Sequence, residues 1–337
     1  MACVFIIKKG KVIKMKKVSI LLAVTILINL FSVMASAEGT DTIPTDFMAG
    51  WDFEELTESG TVADINRGTV KYDGVIKGNV SRTVTAKYLG VYGLNCTGRN
   101  GDWMTAPGLG NALAGKSAVS ISGWYKISSL DKERSLFSIQ NGVNASGLSM
   151  NVQTSGKIKV QLRTANVSSG NLVAATSSTA VTTDVWTHIA AVISLPEVSG
   201  NKGLIHIYIN GNLSGSAEVD VNGMTSFAHF AGSTAASDFK IGGLGNASFI
   251  GSLDEFKVYD RVLSASEISL IAAQVPEETG QPEAPADFMA GYDFEELTES
   301  GEIADINKGT AQYDGVIKGN VSRTVTAKYL GVYGLNC

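Results

Sequence analysis

Apolar and polar residues alternate along much of the chain, and the alternation is clearest in three stretches. These stretches run from Val119 to Ile127, from Ile158 to Leu162 and from Ile205 to Ile209. Successive side chains of a β-strand point to opposite faces of a sheet, so this period of two predicts strands with one buried face.

Turn and cap signals complete this pattern. Asn210-Gly211 is typical of a tight hairpin turn, and segments rich in Gly, Ser and Asn recur between the alternating runs. There is no strand-helix-strand rhythm, so the sequence predicts an all-β fold, an antiparallel two-sheet β-sandwich of the jelly-roll type. Ser264 and Glu267 form a capping box before an apolar run, which predicts a short C-terminal helix.

The chain repeats part of itself. Residues 46–96 recur as residues 287–337 with six differences in 51 positions. This predicts a tandem array in which 287–337 is the truncated start of a second module, and we expect the protein to continue beyond Cys337. Because Phe288 to Glu296 nearly copies Phe47 to Glu55, the copies could compete for one place in a sheet. The resulting strand-exchanged dimer would be detected by light scattering.

The N-terminal region resembles an export signal. Met15-Lys16-Lys17 precedes a largely apolar stretch, and Ala35-Ser36-Ala37 has the form of a signal peptidase site. We therefore predict that residues 1–37 are a signal peptide, that the true start is Met15, and that the protein is secreted or at the cell surface of a bacterium. No membrane span is expected after signal cleavage.

Two polar segments set the expected domain limits. Residues 38–45 form a short linker, and residues 274–286 form a second linker with three prolines and three glutamates. The complete module is therefore predicted to span residues 46–273.

Charge and cysteine content narrow the possible functions. Residues 1–37 hold six lysines and no acid, so the mature chain has 27 − 6 = 21 basic and 32 acidic residues, a net charge of −11. This balance argues against nucleic acid as a partner. Each copy of the repeat carries one cysteine, Cys96 or Cys337, so we expect no disulfide within a module.

Five motifs then follow one another in a characteristic order. They are Trp51-Asp52-Phe53-Glu54-Glu55, Ser122-Gly123-Trp124-Tyr125-Lys126, Trp186-Thr187-His188-Ile189-Ala190, Ile207-Tyr208-Ile209-Asn210-Gly211 and the run from Gly251 to Ser264. In this order they resemble the laminin G-like modules of the concanavalin A-like lectin/glucanase jelly-roll family. The resemblance implies a two-sheet sandwich whose first and last strands lie near one another.

The resemblance also implies one structural calcium per module. Glu55, Asp254 and Asp64 come from segments that the family brings together, and Ca²⁺ prefers carboxylate oxygens. The alternative is that these carboxylates are solvated at strand edges. A calcium site predicts a higher melting temperature at millimolar calcium, and an unchanged melting temperature would remove the hypothesis.

Binding is the function that the sequence favours over catalysis. Retaining glycosidases need two carboxyl groups about 5 to 5.5 Å apart, and the spaced acidic pattern of the family's glycanases is missing, as are Gly-x-Ser-x-Gly and phosphate-loop motifs. We therefore predict that the chain is not an enzyme. Because such modules often accompany glycoside hydrolases, a catalytic domain beyond Cys337 stays open.

Two aromatic segments are candidates for contact with sugars, which stack on aromatic rings and hydrogen-bond to amides and carboxylates. Asn100, Asp102 and Trp103 lie in one turn-rich segment, and His229 lies in another beside two phenylalanines. The alternative is that these residues pack in the core. We expect a carbohydrate-binding or adhesion module in a tandem array, with a polysaccharide, glycoconjugate or cell-surface protein as partner. An accessory module of a glycoside hydrolase and a structural spacer or protein-binding adhesin are the alternatives.

Overall fold

The computed structural model describes residues 42–276 except 144, 168–170 and 234–237, together with the backbone of four short strands outside that range. Two of those strands, β1 (Ile7–Lys8) and β2 (Lys11–Val12), pair with each other. The predictions for the signal peptide and for most of the second copy therefore fall outside the described residues.

One sheet of the module has seven antiparallel strands. Its members are β4 (Val75–Lys77), β7 (Trp103–Thr105), β9 (Arg134–Gln140), β10 (Ser146–Val152), β11 (Lys157–Arg163), β12 (Leu172–Ala180) and β16 (Phe239–Ile241). They lie in the order β12-β11-β10-β9-β16-β7-β4.

The other sheet has eight strands. Its members are β3 (Ala49–Trp51), β5 (Ser81–Thr83), β6 (Gly93–Thr97), β8 (Ala118–Ile127), β13 (Trp186–Ser194), β14 (Gly203–Ile209), β15 (Asn212–Val219) and β17 (Ile250–Tyr259). Seven of them lie in the order β15-β14-β13-β8-β17-β6-β5. The eighth, β3, pairs with the later part of β17, from Phe256 to Val258, whereas β6 pairs with its earlier part, from Ile250 to Leu253. The predicted antiparallel two-sheet sandwich is confirmed.

The local predictions also hold. The three alternating stretches lie in β8, β11 and β14. Asn210 and Gly211 join β14 to β15 with φ angles of 49° and 79°, as a tight hairpin turn requires. The helical elements of the described residues are short. They are α1 (Leu109–Leu113), α2 (Ala265–Ala272) and 3-10 turns at Val84–Ala86, Ala228–Phe230 and Gly245–Ala247.

An aromatic core lies between the sheets. Trp51, Phe137, Phe239 and Phe256 are fully buried, and the ring centroids of Trp51 and Phe256 are 6.0 Å apart. Trp51 lies opposite Phe256 in the pairing of β3 with β17. The opening and closing strands are therefore neighbours, as the family resemblance implied.

Helix α2 packs on the outer face of the eight-stranded sheet. Ser264 and Glu267 form the predicted capping box, and Ile268 and Ile271 are buried. Arg261 joins both ends of the module, because its guanidinium contacts Asp46 and Glu267 at 2.7 Å each. In the described part of the chain, no helix has the length and apolarity needed to cross a membrane.

Two further short strands lie in the second copy. β18 (Ser322–Thr324) pairs with β19 (Gly334–Asn336), and Ser322 lies opposite Asn336. The equivalent residues of the first copy, Ser81 and Asn95, are opposite one another in the pairing of β5 with β6. Both copies therefore contain the same pairing register.

Candidate functional site

A continuous row of side chains crosses the outer face of the seven-stranded sheet. Directly opposed residues of antiparallel strands point to the same face, so the strand registers define the row. From β4 to β12 it contains Val75, Thr105, Lys240, Ser138, Ser149, Gln161 and Ala174. Five of these seven side chains are polar, whereas the other face of the same strands supplies the core.

A cavity of about 300 Å³ opens on this face. Its polar lining consists of Glu133, Ser146, Ser149, Asn151, Gln161 and Arg163. Ser149 lies opposite Gln161, and Asn151 lies opposite Lys159, so β10 and β11 form the floor. We call this set of six residues and the surface around them the polar face.

Hydrogen bonds hold the polar face in place while leaving some of its atoms without partners. The Asn151 amide nitrogen donates to Glu133 at 2.9 Å and to Gln161 at 3.2 Å. The Arg163 Nε donates to the Ser146 carbonyl at 3.1 Å. Asn151 is only 6% exposed, yet its Oδ1 has no hydrogen-bond partner among the described residues, and neither has the Ser146 hydroxyl.

Buried polar atoms of this kind are informative because a buried acceptor without a hydrogen bond lowers the stability of the fold by about 1 to 3 kcal/mol. A ligand hydroxyl that donated to Asn151 would recover this free energy. The polar face is therefore suited to a ligand rich in hydroxyl groups.

Trp103 stands at the edge of the polar face. It is the first residue of β7, two positions before Thr105, and its side chain is half-buried. The Lys240 ammonium lies 5.0 Å from the centre of the Trp103 ring. A Cβ on Gly243 would lie 2.6 Å from the Trp103 Cβ, so Gly243 packs directly against this tryptophan, and the next residue, Leu244, lines the cavity.

The other predicted sugar-binding residues lie elsewhere. Asp102 is 2% exposed and accepts hydrogen bonds from the Asn79 backbone and the Thr97 hydroxyl. His229 is 7% exposed and packs against Phe230, with ring centroids 4.5 Å apart. Both positions suit packing rather than ligand contact. Asn100 is exposed in the turn before Asp102.

The three residues predicted to bind calcium do not fit a shared site. Both Asp64 oxygens accept backbone N–H groups, from Gly50 and Tyr72 among others. Asp254 is fully buried, and Glu55 is exposed. Within the described residues, no group of three or more His, Cys, Asp or Glu side chains is arranged to hold a metal ion. The calcium site stays a prediction without structural support.

Asp254 instead stabilises a loop. Its Oδ2 accepts from the backbone nitrogens of Tyr88 at 2.6 Å and Leu89 at 3.0 Å, while Glu54 accepts from Val91 and Tyr92 at 2.9 Å each. Burial raises the pKa of Asp254 to about 8, against the opposing effect of these N–H donors. The carboxylates of Asp254, in the closing strand, and of Glu54, three residues after the opening strand, thus hold residues 88–92 in place.

A second aromatic group lies on the outer face of the eight-stranded sheet. The Tyr88 ring stacks on Trp124 with centroids 3.7 Å apart, and Trp186 and His188 flank them. Trp124 is 5% exposed, and the Tyr88 hydroxyl donates to the Gln274 carbonyl at 3.0 Å. The stacked rings of Tyr88 and Trp124 therefore cover one another.

Sequence reasoning missed most of the polar face. Ser149, Asn151, Gln161, Arg163 and Lys240 occupy the polar positions of alternating strands, which usually face solvent. The usable signal is that these positions carry amides, hydroxyls and cations, with no acid, across five neighbouring strands.

Comparison with known proteins gives one family and several distant structures. A family model described as the concanavalin A-like lectin/glucanases superfamily matches residues 98–269. No curated protein matches the chain.

One similar solved structure is domain 4 of AbnA, a GH43 extracellular arabinanase from Geobacillus stearothermophilus, in complex with arabinotriose. It is 18% identical to this chain, with a TM-score of 0.43, and the match covers 68% of this chain and 98% of that domain. The botulinum neurotoxin type G receptor binding domain is 15% identical, with a TM-score of 0.45 over 67% of this chain and 51% of that one. The binding domain of Paraclostridial mosquitocidal protein 1 is 17% identical, with a TM-score of 0.47 over 67% and 51%. The match thus spans about half the length of the two toxin domains.

Proposed function

The chain belongs to the concanavalin A-like lectin/glucanases superfamily, and we propose that it is a non-catalytic protein that binds carbohydrate through its polar face. The observation that carries the proposal is the cavity floor. It presents a buried Asn151 oxygen that has no partner among the described residues, surrounded by hydroxyl and amide groups, and Trp103 lies on the same face of the sheet, three strands away on β7. Sugar recognition uses this combination of polar groups and an aromatic ring.

The charges of the cavity support binding over hydrolysis. Glycosidases of the common mechanisms need a pair of carboxyl groups across the scissile bond. Among the described residues that line the cavity, Glu133 is the one carboxylate, and its Oε1 accepts a hydrogen bond from Asn151. A single, engaged carboxylate does not supply an acid and a base.

We further propose that the protein is exported and acts as one of several linked modules. The signal peptide predicted at residues 1–37 and the second copy at 287–337 support this proposal. Linked modules of low individual affinity gain avidity when both engage one polymer. A polysaccharide or surface glycoconjugate is therefore the expected partner.

The test measures how strongly two tryptophan variants and the parent chain bind to a polysaccharide array. Trp103→Ala is expected to reduce binding at least tenfold, because it removes the half-buried aromatic ring beside the polar face. Trp186→Ala is the matched control, since Trp186 is also a half-buried first residue of a strand but lies on the other sheet. Equal losses in both variants, or no binding by the parent chain, would contradict the proposal.

A further inference from the structure

We propose that the ligand of the polar face is an anionic polysaccharide, an inference that rests on the proposed function and adds the charge of the ligand to it. The chain as a whole is acidic, with a net charge of −5. An acidic protein normally repels polyanions, so anion binding requires a local concentration of positive charge.

The seven-stranded sheet provides that concentration. Its strands contain no aspartate or glutamate, and they carry six basic residues: Lys77, Arg134, Lys157, Lys159, Arg163 and Lys240. Arg134 is neutralised by Asp131 at 2.7 Å. The eight-stranded sheet differs, because its strands carry charges of both signs: Glu218, Asp254 and Glu255 together with Arg82, Lys126 and Lys257. The two sheets of one module therefore differ in the net charge of their strands.

The four lysines and Arg163 lie on the same face of the sheet as the polar face. Lys240 lies in the row with Ser149 and Gln161, and Lys77 lies opposite Trp103. Lys159 lies opposite Asn151, and Arg163 lines the cavity itself. Strands of a sheet are about 4.8 Å apart, so Lys240 and Gln161, which share a row on strands three apart, are separated by about 14 Å, and Arg163 lies two residues further along β11. Such a spacing suits a polymer with repeated charges.

Lys240 is the strongest single indication. It is 9% exposed, and among the described residues no carboxylate forms an ion pair with it. Its ammonium lies 5.0 Å from the Trp103 ring centre, beside the aromatic surface on which a sugar would stack. A buried cation without a counter-ion is costly, and a bound anion would lower that cost.

Arg163 supplies the geometry for an acid group. Its Nε is fixed to the Ser146 carbonyl at 3.1 Å, which orients the guanidinium toward the cavity that it lines. A guanidinium is the side chain best shaped to bind carboxylate or sulfate oxygens. Glu133 also lines the cavity and carries an opposing charge, and its Oε1 accepts a hydrogen bond from Asn151.

The experiment measures binding of the full chain to polygalacturonate, to carboxyl-reduced polygalacturonate and to dextran sulfate. We expect at least tenfold weaker binding to the reduced polymer and weaker binding at higher ionic strength, because exposed charges are screened. The dextran sulfate arm shows whether sulfate can replace carboxylate, and binding to either anionic polymer supports the proposal.

Two lysine variants localise the effect. Lys240→Gln and Lys159→Gln should each weaken binding to the anionic polymer severalfold, and Lys159 is half-exposed, so its variant tests the proposal even if Lys240→Gln misfolds. Lys126→Gln, on β8 of the other sheet, is the matched control. Binding confined to neutral polysaccharides would overturn this inference and leave the proposed function standing. Binding to no polysaccharide would overturn both.

Discussion

Replacing Asp64 with alanine is expected to lower the free energy of unfolding by about 3 to 5 kcal/mol. Asp64 is 4% exposed, and its Oδ1 accepts from the backbone nitrogens of Gly50 at 2.9 Å and Asn66 at 3.0 Å. Its Oδ2 accepts from the Tyr72 nitrogen at 2.9 Å. Alanine would leave several buried donors without an acceptor, at about 1 to 3 kcal/mol each.

Urea unfolding monitored by tryptophan fluorescence measures this loss. Glu218→Ala is the control, because Glu218 is an exposed acid on β15 and its removal should change stability by less than about 0.5 kcal/mol. Since the effect comes from backbone donors, a calcium chelator should not alter it. A loss below about 1 kcal/mol for Asp64→Ala would show that these hydrogen bonds do not hold the opening strand in place.

Lowering the pH from 7 to 5 is expected to cost the folded state about 2 kcal/mol through His188. His188 is fully buried in β13, and its Nε2 lies 2.8 Å from the Ser122 hydroxyl. Burial lowers its pKa to about 3, helped by the charge of Lys257. An unfolded histidine titrates near about 6.5.

The direction of the pH dependence follows from the pKa values of His188 in the folded and unfolded states. As the pH falls below about 6.5, the unfolded chain binds a proton at His188 that the folded chain binds only near pH 3. Stability from this group is therefore complete above about pH 6.5 and falls as the solution becomes more acidic. Asp254, whose pKa is raised, contributes in the opposite direction, so the effect of His188 must be isolated by comparison.

The His188→Gln variant provides that comparison, because Asp254 is present in both proteins. The variant is less stable at pH 7, where it loses the packing of the imidazole, and the gap to the parent should narrow by about 2 kcal/mol at pH 5. Urea unfolding of both proteins at the two pH values measures the gap. An unchanged gap would mean that His188 binds a proton as readily in the folded protein as in the unfolded chain.

The sequence was sufficient for the fold because its signals are local. The alternation in β8, β11 and β14, the Asn210-Gly211 turn and the Ser264–Glu267 capping box each depend on a few neighbouring residues. The closing strand was placed beside the opening strand by family resemblance, and the pairing of Phe256 with Trp51 confirms it.

The candidate site could be predicted only in part, because it depends on strand registers. Lys240 and Gln161 are far apart in sequence and share a row only through β9 and β10. Asp102 and His229 were predicted to contact sugars, but the fold buries them. Their neighbours in the sequence give no sign of this burial. Trp103 was predicted as a candidate from its chemistry, and the structure places polar side chains on the same face of the sheet.

The most direct test uses the four tryptophans of the chain as reporters. Trp51 lies in the core, Trp103 borders the polar face, and Trp124 and Trp186 lie on the other sheet. Titration of ¹⁵N-labelled protein with oligogalacturonate, followed through the indole N–H signals by NMR, is predicted to shift the Trp103 signal and to leave that of Trp186 in place. Shifts at Trp124 and Trp186 with Trp103 unchanged would contradict a binding site on the seven-stranded sheet.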